Sequence, residues 1–484
     1  MQQQSMFFKA RAGAMLADRG LQANLSQPRD KFVDTRAQAV RDYEQEEGGD
    51  FEALRAAGEA IRQRVIGDLD SWLEVFEERA TASGATVLWA RDGQEVCGLV
   101  VDIARRHGVL KAIKSKSMVS EEAGLNQVLA AAGIRPVETD LGEYILQIAG
   151  NEPPSHIIAP VMHKNVDQVA DLFASTHGTA RKTDIPSLTR EAREVLREHF
   201  VSAEMGISGA NFLIAETGSA ALVTNEGNGR MVSTLPKVHV VITDIEKIVP
   251  TLADLATLMR LLPRSATGQA ISSYVSLLTG NGRRSAAAGD PDGPDAADGP
   301  EQMVFILVDN GRVGLLGGDF QQMLACIRCG ACLNHCPVYQ TIGGHAYGWV
   351  YPGPMGSILT PLFGGIEKAL DLPQASTLCQ RCSEICPVRI PLPGLLRQLR
   401  ERQTREGWRP RSERFGLRLW AWLAARPTLY ALGTRIAVRY LNWLAGGRDR
   451  IEVLGITANW TAGRDLPAPQ GKTFRQLYRQ RRRA

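Results

Sequence analysis

No run of apolar residues in this 484-residue chain approaches the roughly 20 needed to cross a bilayer as a helix. The opening stretch, MQQQSMFFKARAGAML, has no apolar core followed by a small-residue cleavage site. Cysteine is almost missing from the first 325 positions, where Cys97 stands alone in EVCGLVV, a helix face that predicts an inert core thiol. These absences argue against a membrane span and against a secreted disulfide scaffold, and they favour a reducing, cytoplasmic setting. Nucleotide signatures are also lacking. There is no P-loop, kinase set or Ser-His-Asp arrangement, and no flavin or nicotinamide motif. GNGRMV, from Gly227, lacks the third glycine of a dinucleotide fingerprint and reads as a tight hairpin turn ahead of a strand.

What is present is concentrated. Seven of the eight cysteines lie between positions 326 and 386. Cys326, Cys329, Cys332 and Cys336 form C-x2-C-x2-C-x3-C followed by Pro337, the spacing of bacterial ferredoxin iron–sulfur sites. Zinc sites usually separate two short knuckles by a longer spacer, so zinc is the weaker reading. In two-cluster ferredoxins the fourth cysteine serves the other cluster. A second motif, STLCQRCSEICP, supplies Cys379, Cys382 and Cys386, with Ser376 in the remaining slot. Crossed pairing assigns Cys326, Cys329, Cys332 and Cys386 to cluster 1, and Cys336, Cys379 and Cys382 to cluster 2. The open corner of cluster 2 can take Ser376, water or substrate, or the cluster can be a [3Fe-4S] form; otherwise [4Fe-4S] is expected.

Hydrophobic residues at 44% and charged residues at 22% are ordinary for a globular protein, and the length asks for two or three domains. The net charge of +4 hides an asymmetry. Residues 397–484 carry 20 Lys+Arg against 6 Asp+Glu, which leaves the rest of the chain at −10. Such a basic tail can meet an acidic partner, a membrane surface or nucleic acid, or be a solvated helical face. No DNA-binding motif is readable, which disfavours nucleic acid.

Four regions are expected. Residues 1–84 form a helical segment, with Leu54, Ile61, Val65, Leu69, Leu73 and Phe76 as its apolar stripe. Residues 85–318 form an α/β domain with a mostly parallel sheet. Its strands are expected in ATVLWA, VLKAIKS, IRPVETDL and SHIIAPV, with a helix capped by Ser120 and ending at Gly133. It carries a flexible Gly/Ala/Asp/Pro insertion at 281–300, which does not end the domain because EQMVFILV resumes a strand. Residues 319–393 form a ferredoxin-type module. Residues 394–484 form the basic helical tail, with two amphipathic helices broken near Pro427 and five of the eight Trp.

Weaker signals surround these. Lys111, Lys114 and Lys116 can hold a carboxylate or phosphate, or line a solvated strand edge. Glu216, Thr217, Asn225, Glu226 and Arg230 lie near glycines that let backbone approach an anion. His156, His163 and His239 read as packed or surface histidines. His345, in GGHAYGWVYPGPMG, reads as part of a loop shielding the clusters. Arg328, Arg381 and Arg389 flank the cysteines and would favour the reduced, more negative cluster state.

Taken together, KSKSM, ETGSAALVTNEGNGR, KVHVVITDIEK, the two cysteine motifs, GGHAYGWVYPGPMG and DLPAPQGKTFRQLYRQRR resemble the lactate utilization protein B family, over most of the chain. The resemblance implies an N-terminal lactate-utilization domain with a fold like ribose-phosphate isomerase and CoA-transferase proteins. It implies the iron–sulfur electron-transfer subunit of an L-lactate dehydrogenase complex, which oxidises L-lactate to pyruvate and supports growth on lactate. Its companions would be a cysteine-rich lactate utilization protein A and a lactate utilization protein C. Family members similarly carry three cysteines in the second motif. Two rival readings are an electron-transfer subunit for another 2-hydroxy acid such as glycolate, and a redox-sensing regulatory protein. The sequence names no catalytic residue.

Overall fold

The structure is a computed structural model that describes residues 3–281, 299–454, 461 and 464–482. It divides into two compact units, up to Gln403 and from Thr404 onward. Among the described residues no helix is long and apolar enough to cross a membrane.

The described residues of the first unit form ten strands: β1 (Thr86–Ala90), β2 (Lys111–Lys114), β3 (Arg135–Glu138), β4 (Met205–Ser208), β5 (Phe212–Ile214), β6 (Ser219–Thr224), β7 (Val238–Asp244), β8 (Ile248–Val249), β9 (Tyr274–Leu278) and β10 (Gln302–Val308). Six of them make a parallel sheet in the order β1-β10-β7-β4-β2-β3. Its central strands read VHVVITD and QMVFILV and are almost wholly buried, because helices cover both faces and neither face meets water. The helix Gly93–Arg106 brings Val96 and Val100 to one face. The helix Leu69–Ala82 brings Phe76 edge-on to Phe305 on the other, ring centroids 5.1 Å apart. β10 lies between β1 and β7, so the chain does return to the same sheet after the expected insertion. Residues 282–298 of that insertion lie outside the described residues.

The expected apolar stripe is buried, on two helices, Phe51–Gly67 and Leu69–Ala82. Its first half does not stand apart. Leu54 and Ile61 share one core with Leu258 and Leu261 of the helix Leu252–Ala266 and with Leu324, Ile327 and Leu396 of the cysteine region.

Three local expectations are overturned, and one open alternative is decided. SHIIAPV is a turn, not a strand: the amides of Ile158 and Ala159 donate to His156 Nδ1, and Ser155 N donates to Pro160 O, which closes the segment. The helix expected from Ser120 starts earlier, capped by Ser117, and breaks at Gly124, whose φ of 72° ends Met118–Ala123 before Leu125–Ala131 begins. GNGRMV is not a hairpin turn, because a helix, Asn228–Thr234, follows β6 and packs on β4. Gly206 permits that packing, since a Cβ there would sit 1.9 Å from Val232 O. Finally, β2 is an interior strand, so its lysines do not line a solvated edge.

The second unit holds the helices Arg411–Ala424 and Pro427–Ala445, split at Pro427 as the sequence predicts. Its described residues also form a short antiparallel pair, Arg450–Ile451 with Leu466–Pro467, and the helix Phe474–Arg481. Trp460 lies outside the described residues.

Candidate iron–sulfur centre and its surroundings

The two cysteine motifs repeat one backbone at an offset of 50 residues. Helices Ala331–Asn334 and Arg381–Glu384 correspond, each preceded by a left-handed residue, Gly330 at φ 77° and Gln380 at φ 71°. Arg328 and Leu378, just before Cys329 and Cys379, match at φ 56° and 55°. A non-glycine residue at positive φ is uncommon, and two in register mark a loop shape held by its surroundings. The same offset places Ser376 in the slot of Cys326. Its hydroxyl accepts from Leu378 N at 3.1 Å, and Arg400 donates to its carbonyl at 2.9 Å.

Cys326, Cys329, Cys332 and Cys386 line one small cavity with Met323, Met355, Ile390 and Leu392. Burial pushes the thiols of Cys329, Cys332 and Cys386 up, and the proximity of others in the same set pushes them further; that of Cys386 rises to about 11. Cys336 and Cys382 form a second neighbourhood with Cys379: burial raises both thiols, that of Cys382 to about 12, and Cys379 beside them adds to it. All eight cysteines are free. Buried thiols kept apart from disulfides and pressed against one another fit a group that supplies positive charge and takes thiolates outright. Backbone amides aim at the sulfurs as thiolates require: Ile390 N donates to Cys386 Sγ at 3.3 Å, and amides of Ala331, Val338 and Tyr339 serve Cys329 and Cys336. Cys379 is exposed, whereas Cys329, Cys332, Cys336, Cys382 and Cys386 are buried.

Three arginines that sequence reading missed fasten the motifs to the N-terminal helices. Arg55 donates to Cys386 O at 3.0 and 2.8 Å. Arg62, 1% exposed, reaches Leu324 O, Ala325 O and Ile248 O. Arg36 reaches Ile385 O at 3.3 Å. Arg55 and Arg62 stand seven positions apart beside Leu54 and Ile61, and a charge repeating on the apolar face was the available signal. The flanking arginines are not free charges. Arg381 pairs with Glu384 at 3.2 Å, Arg389 with Glu52 at 3.2 Å, and Arg328 with Glu246 at 3.0 Å, so their pull on cluster charge is partly offset.

The other candidates disperse. Lys114 is buried and bonded to Glu138 at 2.6 Å; Lys111 bonds Ser202. Lys116, Asn225 and Glu226 border a cavity at the carboxyl ends of the sheet strands. Glu216 accepts from Leu252 N, the Thr217 hydroxyl is buried, and Arg230 lies over Tyr274. His156 bonds Asn334 at 2.9 Å and His239 bonds Ser208 at 2.9 Å; burial lowers both to about 3, so they are neutral core groups. His163 sits between Ser155 and Glu152, and its ring meets that of His345, which bonds Pro153 O at 2.7 Å. Cys97 lies in the sheet core and bonds Ala123 O.

Residues 73–308 match the LUD domain, residues 322–390 the 4Fe-4S dicluster domain, and residues 397–483 the C-terminal region of lactate utilisation protein B. A lactate utilization protein B of Bacillus licheniformis is 41% identical over 478 residues, 98% of this chain and 97% of that protein. The chain belongs to the lactate utilization protein B family. The member from Bacillus subtilis is 43% identical over 439 residues, 90% of this chain and 89% of its own length. A crystal structure of a DUF162 family protein from Deinococcus radiodurans aligns to 50% of this chain and 98% of its own, at 12% identity and a TM-score of 0.27, a likeness too slight to bear on the fold. The dicluster match and the thiol sets make this an iron–sulfur protein.

Proposed function

We propose that this chain is the iron–sulfur electron-transfer component of a lactate utilization system that oxidises L-lactate to pyruvate. The observation that carries the reading is the pair of thiol sets, repeated at 50 residues and fused into one core with the α/β domain. Cys326, Cys329, Cys332 and Cys386 hold the first cluster. Cys336, Cys379 and Cys382 hold the second, with Ser376, water or no fourth iron at its open corner. Bound clusters supply one-electron transfer, and two of them match the two electrons released when lactate loses two protons and becomes pyruvate. Names of the 41–43% identical relatives support the lactate assignment.

The chain's own residues set the direction of access. Cys379 is exposed, so the second site is the one a redox partner can approach, while the first lies against the α/β domain. Companions of the lactate utilization A and C types are the expected partners, and the basic tail offers a contact for an acidic partner or membrane surface. The α/β domain is expected to share the ribose-phosphate isomerase and CoA-transferase fold. Deleting the gene and comparing growth on L-lactate and glycolate tests the substrate: loss on lactate alone supports the reading, and loss on glycolate alone replaces it with the rival acid. Iron and acid-labile sulfide, measured on anaerobically purified protein, test the clusters; zinc without sulfide overturns electron transfer.

A further inference from the structure

The α/β domain contains a cavity of about 300 Å³ that touches the first cysteine set. It lies where a parallel sheet is expected to bind. The chain runs from β2 outward to β3, then returns to β4 on the other side of β2 and continues through β7 to β10. The crevice beyond the carboxyl ends of β2 and β4 is therefore a topological switch point, the usual ligand position in such sheets. Ser115 and Lys116, just after β2, and Gly209, just after β4, line it, and Cys329 forms part of its wall. Its volume is at the lower end of the range for small-molecule pockets.

The lining is built for an anion with a second polar group. Arg328 lines the cavity with a side chain 6% exposed, and its Nε and Nη1 have no hydrogen-bond partner, because its ion pairs to Glu246 and Asp244 both run through Nη2. Half-buried Lys247 donates to Ala210 O at 3.3 Å and lies among Asp244, Arg328 and Glu246. Asp244 and Glu246 offset part of both charges, but the Nε and Nη1 donors of Arg328 still lack an acceptor, which a carboxylate in the cavity would supply. Lys116 adds a third cation, 3.3 Å from Glu143. The two carboxylates on the lining are engaged elsewhere: Asp140 caps the helix Leu141–Ile148, and Glu226 accepts from Leu141 N at 3.0 Å. Ser115 is 2% exposed, and its hydroxyl has no partner.

We propose that this cavity binds a small 2-hydroxy or 2-oxo monocarboxylate, with the carboxylate on Arg328 and Lys247 and the 2-oxygen on Ser115. The proposal rests on the electron-transfer reading above and adds where the acid sits: in this chain, against the Cys329 wall, not solely on a companion protein.

The test is calorimetric titration of the full-length, cluster-loaded chain, under anaerobic conditions, with L-lactate, pyruvate, propionate and inorganic phosphate. Binding of L-lactate and pyruvate is expected, with propionate weaker because it lacks the 2-oxygen. Lys247→Gln should weaken lactate by about tenfold or more, and Ser115→Ala should weaken lactate but not propionate. Iron content and the reduced cluster spectrum of each variant should match wild type, which separates a lost ligand site from a lost fold. No heat with any acid, unchanged affinity in both variants, or phosphate binding as tightly as lactate would overturn the site. Those results leave electron transfer standing when iron and sulfide are present in the titrated protein, whereas a chain that holds no clusters removes that reading, and the same titration of that chain then tests the cavity by itself.

Discussion

Replacing Arg312 by Met should expose the central electrostatic bond of the first unit. Arg312 is fully buried, 3.0 Å from Glu122, 3.0 Å from Glu246 and in contact with Asp244, with its guanidinium 4.5 Å from the Phe363 ring centroid. Arg328 is the other cation of this group, so two guanidinium groups face three carboxylates. Methionine fills much of the same volume but leaves three acids against one cation. Removing one partner of a buried ion group costs about 3–5 kcal/mol. With a urea slope of about 3 kcal/mol per molar, the midpoint should fall by roughly 1–1.7 M. Burial already holds the Asp244 carboxyl above its usual range despite Arg312, and losing Arg312 raises it further. Between the usual carboxylate value and that raised value the folded state binds a proton the unfolded state does not. Stability therefore falls as pH rises through the window, and the variant carries this slope to higher pH than wild type. The deficit should be about 1–2 kcal/mol smaller at pH 6 than at pH 8. Urea unfolding of the cluster-loaded protein, followed by circular dichroism at both pH values, measures it. Adding Asp244→Asn should restore part of the loss. A deficit below about 1 kcal/mol at pH 8, or one identical at both pH values, would refute the reasoning.

Cys329→Ser should remove one cluster and lower bound iron by about half while the second site keeps its metal; unchanged iron content would dismiss the ligand assignment. Ser376→Cys should supply the missing thiolate, so that mild oxidation yields less of the three-iron EPR signal than in wild type; an equal signal would mean that Ser376 does not face the second cluster. His239→Gln should flatten the acid side of the stability curve. The folded-state value of about 3 lies below the unfolded one, so wild type loses stability as pH falls below about 6.5, by about 1.4 kcal/mol at pH 5.5 from this group. Urea midpoints of both proteins at pH 7.5 and 5.5 give the difference, and parallel losses would show that His239 is not the group responsible.

Periodicity and ligand spacing were legible in the sequence; strand order was not. The cysteine sets, the stripe from Leu54 to Phe76 and the buried runs of β7 and β10 each follow from local pattern, because each residue's role depends on neighbours a few positions away. For Lys114 the sequence left a carboxylate partner and a solvated edge both open, because nothing local says that β2 lies between β4 and β3; the partner is Glu138. The helix after Gly227 was missed because its room comes from Gly206, more than twenty positions earlier on another strand. His156 turned a strand-like segment into a turn through its own ring nitrogen. Arg55 and Arg62 were passed over since charges on an apolar stripe look like errors of pattern until the carbonyls they serve are placed.

The two halves of the cysteine region share a backbone but not an environment, and the difference follows from what each half packs against. The first motif runs between Ile157, Ile158 and the carboxyl ends of the sheet, where Gly330 leaves room that a Cβ would lose at 2.8 Å from Ile158. The second has Gln380 at the equivalent left-handed position, exposed beside an exposed Cys379, with no sheet against it. Glycine is demanded where the loop is pressed against the α/β domain, and a polar residue suffices where it faces solvent. Ser376 belongs to the same side. Losing a thiolate costs a buried cluster its enclosed ligand set, whereas a half-exposed corner can be completed by a hydroxyl or by water. The asymmetry of the two motifs and the asymmetry of burial are thus one feature: a closed thiol set next to the sheet, and a more exposed one, with a serine in one slot, facing away from it.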